Sequence, residues 1–145
     1  MIQVVNAGIK GYDHLHFGWF MVDWCNYNCS YCSTAELMRE TYSKIDSNGK
    51  HKLVIERLKR MEGAFNIDLY GGEPTLHPDF DEILSALVKI DNCKAVEIKT
   101  NLSRSLAFYQ RIQPHDKVKV SASYHPEYHS QAFIDKCIAL ASDDF

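Results

Sequence analysis

The sequence has no apolar run near the roughly 20 residues that a helix needs to span a bilayer. Its N-terminus also lacks the basic and apolar regions of a signal peptide. A cytoplasmic protein with reduced thiols is therefore expected. Neither sign of charge is in great excess: a net charge of −3 and a pI near 6.1 give no electrostatic footprint for nucleic acid or an anionic membrane. No low-complexity segment, internal repeat or linker divides the chain, so residues 1–145 are expected to form one domain. Cysteines number five, and an odd count without a secretory signal argues against a disulfide framework. What is present is an ordinary globular balance, 46% hydrophobic and 24% charged, sufficient for a single modest core.

Three of the five cysteines, Cys25, Cys29 and Cys32, fall within eight residues at a C-x3-C-x2-C spacing. They are interleaved with Asn, Tyr and Ser, which is not the composition of a core. Thiolates on so short a loop can converge on one face of an iron-sulfur cube or on a zinc ion, because both favour soft sulfur ligands. Three protein ligands are one short of a closed structural site, which leaves a coordination position open for a substrate or cofactor.

The rest of the chain alternates strand and helix. Residues 2–5 read as a short strand and 17–23 as a stronger one, aromatic, β-branched and apolar nearly throughout, as expected where both sheet faces are covered. That strand delivers the chain to the cysteine loop at its C-terminal end, where α/β sheets place their chemistry. His14 and His16, which precede it, read as structural or solvated. A helix is expected over 33–39, another over 51–61 with Val54, Ile55, Leu58 and Met61 on one face, and a strand over 65–70. Pro78 opens a helix with Phe80, Ile83, Leu84, Leu87 and Val88 as its buried stripe, and Cys93 follows in a turn with no ligand role. Strands over 95–100 and 117–123 and helices over 103–112 and 130–141 complete the pattern, the last with Phe133, Ile134, Cys137, Ile138 and Ala141 along its packed face. The alternation predicts an α/β fold, a parallel sheet of about four βα units with right-handed crossovers, hence an incomplete (β/α) partial TIM-like barrel.

Two strand ends carry further signals. Residues 65–70 run into Gly71-Gly72-Glu73-Pro74, where two glycines permit positive φ and a close backbone approach to a ligand, and a fixed carboxylate can accept from an ammonium group. A plain turn is the other reading of these residues. Asn101 follows the next strand, either presenting its amide at the rim or capping the helix behind it.

The cysteine spacing, with Tyr31 just before Cys32, resembles the signature of the radical S-adenosylmethionine enzymes. Gly71-Gly72-Glu73-Pro74, in the right order and after a predicted strand, resembles the family's second signature, the segment that meets the methionine part of S-adenosylmethionine. The resemblance implies that Cys25, Cys29 and Cys32 hold three irons of a 4Fe-4S cluster, the fourth being chelated by the amino and carboxylate groups of S-adenosylmethionine. By the same resemblance Gly71, Gly72, Glu73 and Pro74 offer acceptors to that amino group, and Ser121 and Ser123 meet its ribose and carboxylate. Tyr31 is the candidate for adenine contact. Where family members often carry Thr-Asn-Gly, this chain has Thr100, Asn101 and Leu102, which leaves the glycine's part unfilled. Residues 124–129 hold Tyr124 and His125, candidates for substrate contact in what is otherwise a solvated loop.

The activity so implied is reductive cleavage of S-adenosylmethionine to a 5′-deoxyadenosyl radical, which takes hydrogen from an unidentified substrate. Cluster potentials span roughly −700 to +450 mV, and this reaction needs the reducing end, hence a flavodoxin- or ferredoxin-type donor. The family usually has six units in its partial barrel, so a four-unit chain lacks the strands that bury adenine and shape the substrate pocket. Its fourth strand is then an open edge, which self-association would cover. Two other classes stay open: an iron-sulfur electron-transfer protein, and a zinc-binding structural module completed by a histidine such as His16 or His77.

Overall fold

A computed structural model describes residues 2–6, 14–32, 49–112, 116–128 and 130–142, with the backbone alone for 2–6. The expected helix over 33–39 and residue His129 lie outside the described residues. One sheet carries the strands β1 (Ile2–Asn6), β2 (Leu15–Val22), β3 (Phe65–Gly71), β4 (Cys93–Thr100) and β5 (Val118–Ala122), in that spatial order. Between or after them run the helices α1 (Lys50–Lys59), α2 (Phe80–Val88), α3 (Leu106–Ile112) and α4 (Gln131–Ser142). Strands β2 to β5 are all parallel, each joined to the next through a helical connection or a longer crossover, as in a partial β/α barrel opened into a sheet.

The first strand stands outside the four parallel units. β1 pairs antiparallel with β2, Ile2 facing Trp19 and Val4 facing Phe17. The eight residues 7–14 between them are too few for a crossover, which takes a dozen or more, so the chain returns beside itself and occupies the flank of β2.

Strand alternation sorts the two faces of the sheet. Phe17, Trp19, Phe65, Ile67, Leu69, Val96 and Ile98 lie on the face that the helices cover, and Ile55, Leu58, Ile83, Leu87, Tyr109 and Leu140 close the core over it. The opposite face carries His16, Asp68, Tyr70 and Lys99, so β2 does not sit between two apolar layers as its composition suggests. Phe20 does belong to this second face, where it meets Tyr70 edge-on at 5.7 Å.

Two sequence expectations are corrected here. Cys93 lies not in a turn but at the head of β4, opposite Phe65 and wholly buried, because a bulge at Lys94 absorbs the extra residue and extends the strand. On α4, Ile134 and Ile138 are 44% and 59% exposed instead of packed. β5 is the last strand, and among the described residues no further strand lies beyond it to draw that face of α4 inward. Phe133 and Cys137 do pack against the core.

Candidate functional site

The C-terminal ends of the parallel strands gather the chemistry, and the double glycine is the seam between two of them. Beyond the last β2–β3 register pair, the Gly72 N–H donates to the Val22 carbonyl and the Glu73 N–H to the Trp24 carbonyl, both at 2.9 Å. A Cβ on Gly71 would stand well under 3.0 Å from the Val22 carbonyl oxygen, and one on Gly72 equally close to that of Trp24, nearer than real Cβ atoms come. Gly71 also has φ 140°. Close approach is therefore required, as the sequence suggests, but the approaching group is the chain's own backbone immediately before Cys25.

Glu73 is wholly buried. One carboxylate oxygen accepts from the Thr75 N–H at 3.1 Å, from the Thr75 hydroxyl and from the Thr100 hydroxyl at 2.8 Å; the other accepts from the Asn101 N–H at 2.7 Å. Four donors satisfy a charge that burial alone would make costly. The side chain thus ties the end of β3 to the end of β4 and caps the single 3-10 turn Pro74–Leu76. Its carboxylate faces inward, and Pro74 is buried with it, so neither side chain lines the cavity beside the cysteines.

Asn101 is buried and its side chain bonds in two directions, without capping the helix behind it. Its Oδ1 accepts from the Ser103 N–H at 3.0 Å, closing a turn ahead of α3, which starts only at Leu106. Its Nδ2 donates to Asn26 Oδ1 at 3.0 Å and lies 3.8 Å from the Cys25 sulfur. Leu102 adopts φ 53° while almost wholly buried, so here a leucine takes the left-handed conformation that glycine would allow freely.

Cys25, Cys29 and Cys32 are free thiols, the first and last half-buried and Cys29 buried. The Cys32 N–H donates to the Cys29 carbonyl at 3.2 Å, and the Tyr27 N–H to the Cys25 sulfur at 3.3 Å. Burial pushes the Cys25 thiol above its ordinary pKa, the Tyr27 bond opposing and the negative Glu73 reinforcing. All three cysteines line one cavity of about 410 Å³, together with Gly71, Gly72, Thr100, Asn101 and Ser123. Among the described residues no three His, Cys, Asp or Glu side chains are grouped to hold a single metal ion, as a structural zinc would need. An iron-sulfur cube instead gives each thiolate an iron of its own. A loop of three thiols, one of them with a backbone donor on its sulfur, beside a cavity of this size, fits that group.

The sequence model of the radical SAM superfamily matches residues 19–124, from within β2 to just past β5. The chain belongs to the radical SAM superfamily. Its members are enzymes, and the matched stretch holds the three cysteines, the Gly-Gly-Glu-Pro segment, Asn101, Ser121 and Ser123. No solved structure matches the chain. No helix among the described residues is long and apolar enough to cross a membrane.

The remaining expected residues of this radical SAM protein divide. Ser123 lines the cavity, its N–H bonded to the Thr100 carbonyl at 2.8 Å, whereas Ser121 lies within β5 opposite Lys99 and does not. His125 lines the cavity with Nδ1 3.4 Å from the Cys29 sulfur and 3.0 Å from the Tyr31 hydroxyl; Tyr124 instead packs edge-on against Phe133 of α4 at 5.6 Å. Tyr31 also lines it while staying largely exposed. The segment 125–128, expected as solvated, is attached to the cysteine loop.

Residues not singled out from sequence complete the wall. Tyr70 and Lys99 line the cavity one residue before Gly71 and Thr100. The Lys99 ammonium donates to Asp68 Oδ2 at 2.7 Å, which raises its pKa, and His16 Nε2 lies 2.6 Å from Asp68 Oδ1. The usable signal is strand parity: charged residues at positions 68 and 99, which alternate with the apolar positions 67, 69, 96 and 98, mark the face turned away from the core. His16 and His77, the histidines considered for a zinc site, do not line the cavity: His16 is held by Asp68, and His77 Nδ1 accepts from the Asp79 N–H at 3.0 Å.

Proposed function

We propose that Cys25, Cys29 and Cys32 hold a 4Fe-4S cluster whose fourth iron is left to S-adenosylmethionine, and that the enzyme uses the pair to generate a radical for hydrogen abstraction from its substrate. The observation that carries this reading is the shared cavity: three thiols, the double-glycine bend and Asn101 line the same 410 Å³ space. When bound, the cluster and S-adenosylmethionine supply one-electron cleavage of a carbon-sulfur bond, releasing methionine and the 5′-deoxyadenosyl radical.

The chain's own part is ligation, orientation and exclusion of side reactions. The backbone at Gly71 and Gly72 offers acceptors at the cavity wall for an ammonium group, with Asn101 and Ser123 as polar neighbours, while Glu73 fixes the wall from behind. Tyr31 offers a ring face to adenine. Ser121, Tyr124 and His125 remain proposed contacts at the outer side, for ribose and for substrate. The electron donor is proposed to be a flavodoxin or ferredoxin, and self-association is proposed to cover β5 and the exposed Ile134 and Ile138; a stable monomer with full turnover would refute that last point.

The test is anaerobic reconstitution with iron and sulfide, followed by dithionite, S-adenosylmethionine and chromatographic detection of 5′-deoxyadenosine. The reading expects a brown protein that forms 5′-deoxyadenosine, and a Cys29→Ala variant that loses both the visible absorption and the product. A colourless zinc protein, or a brown one indifferent to S-adenosylmethionine, would overturn it.

A further inference from the structure

The cysteine loop leaves β2 and the segment 123–128 leaves β5, with β3 and β4 lying between them. The two loops nevertheless meet at consecutive points. The Tyr128 ring stacks on Tyr27 at 4.2 Å with the planes 5° apart, and its hydroxyl accepts from the Asn28 N–H at 2.8 Å. The Glu127 carboxylate accepts from the Ser30 N–H at 3.1 and 3.2 Å and from the Ser30 hydroxyl. The His125 ring lies parallel to that of Tyr31, 6.2 Å away. These attachments fall on Tyr27, Asn28, Ser30 and Tyr31, four of the five residues that space the three cysteines. Cys29, in their midst, is 5% exposed.

We propose that Glu127 and Tyr128 are positioning residues that clamp the cysteine loop from across the sheet and set the spacing of its three thiols before any cluster binds. The inference rests on the reading of those cysteines as cluster ligands. A free eight-residue loop would have to give up its backbone freedom as the metal arrived. Bonds to two of its amides and a stacked ring on Tyr27 place that loss in the folding of the apoprotein instead. The Glu127 contact is charge-assisted, and the Ser30 bonds hold its carboxyl below the ordinary glutamate range. Neither residue bears on a reacting atom; both act through the loop they hold.

The experiment measures site-resolved alkylation of the reduced apoprotein by iodoacetamide, using mass spectrometry. Glu127→Ala and Tyr128→Ala should each raise the rate at Cys29 about tenfold, the scale of losing one strong hydrogen bond or its equivalent. Tyr128→Phe, which keeps the stack and loses the acceptor for Asn28, should fall between, and Gln131→Ala on exposed α4 should match the wild type. Cys93, wholly buried in the core, serves as the fold monitor. Should Tyr128→Ala open Cys93, the result is read from Glu127→Gln and Tyr128→Phe. The same proteins, reconstituted anaerobically, should lose iron to a chelator in the same order. Cys29 rates within about twofold of wild type across the series overturn the clamp, since a lost charge-assisted bond predicts more. If the wild type takes up no iron while the alkylation order holds, the cluster reading falls and the clamp stands.

Discussion

Gly72→Ala separates two reasons for a glycine at this bend, approach to a ligand and approach to the chain itself. The added Cβ would collide with the Trp24 carbonyl and stand 3.0 Å from the Cys25 amide nitrogen, so the seam between β3 and the cysteine loop must part. Two backbone bonds cross that seam, Gly72 to Val22 and Glu73 to Trp24. Their loss costs about 1–3 kcal/mol, and the displacement of packed backbone adds about 1–3 kcal/mol more. A total near 4 kcal/mol is a large part of the roughly 5–15 kcal/mol that holds a domain together. For a chain of this length it lowers the thermal midpoint by roughly 10–15 °C. Gly63→Ala is the control: its φ is 87° but nothing lies within 4 Å of the added Cβ. The left-handed backbone alone then costs about 1–2 kcal/mol. The assay is thermal unfolding of the metal-free, reduced proteins followed by circular dichroism, where no cofactor can contribute. A Gly72→Ala apoprotein that melts together with Gly63→Ala would refute the seam and leave only ligand approach to explain the glycine.

Three further outcomes follow from other parts of the site. Glu73→Gln keeps the shape but presents an amide N–H₂ to one of the backbone or hydroxyl donors now facing a carboxylate, so the urea midpoint should drop by the equivalent of about 2–4 kcal/mol. An unchanged midpoint would show that the four bonds do not hold the charge. Leu102→Gly removes the left-handed strain, worth about 1–2 kcal/mol, but also a buried leucine whose truncation costs about 2–5 kcal/mol, so it should destabilise the chain in denaturant; stabilisation would refute the packing role. Burial holds the His77 pKa below its ordinary value, with Asp79 partly opposing. The unfolded chain, titrating near 6.5, then binds more protons between the two values. This contribution is fully present above about pH 6.5 and lost as pH falls through the folded pKa. Denaturant titrations at pH 7.5 and 5.5 should show it, and His77→Asn should flatten the difference; an equal slope in the variant would sink the assignment.

Local sequence carried the order of elements because each strand and helix past residue 49 has its own period and its own stop. It could not show which groups face which. Glu73 illustrates the limit: a carboxylate beside two glycines reads naturally as a ligand acceptor, yet Thr100 and Asn101, 27 and 28 residues later, supply donors that turn it inward. Cys93 differs from its sequence expectation for a similar reason, since Asp91 and Asn92 do form a turn but the bulge at Lys94 lets β4 begin immediately afterwards. The exposed Ile134 and Ile138 show the converse, an amphipathic stripe whose covering layer is a matter of tertiary neighbours rather than of helix period.

The segment after β5 makes the same point for function. Tyr, His, Glu and Tyr in a loop have no period and no motif, so composition alone reads them as solvated. What gives them a role is that parallel strands end on one side of the sheet, which brings loops from β2 and β5 within bonding distance although they lie about 100 residues apart in sequence. The cysteine spacing is a local property and was legible as such. The contacts proposed to hold the three thiols are not local: Gly72 lies against Trp24 on one side and Glu127 bonds Ser30 on the other. On the proposed reading, ligand identity and ligand placement are encoded in different parts of this chain, and a change at position 127 would disturb the metal centre without touching any sulfur.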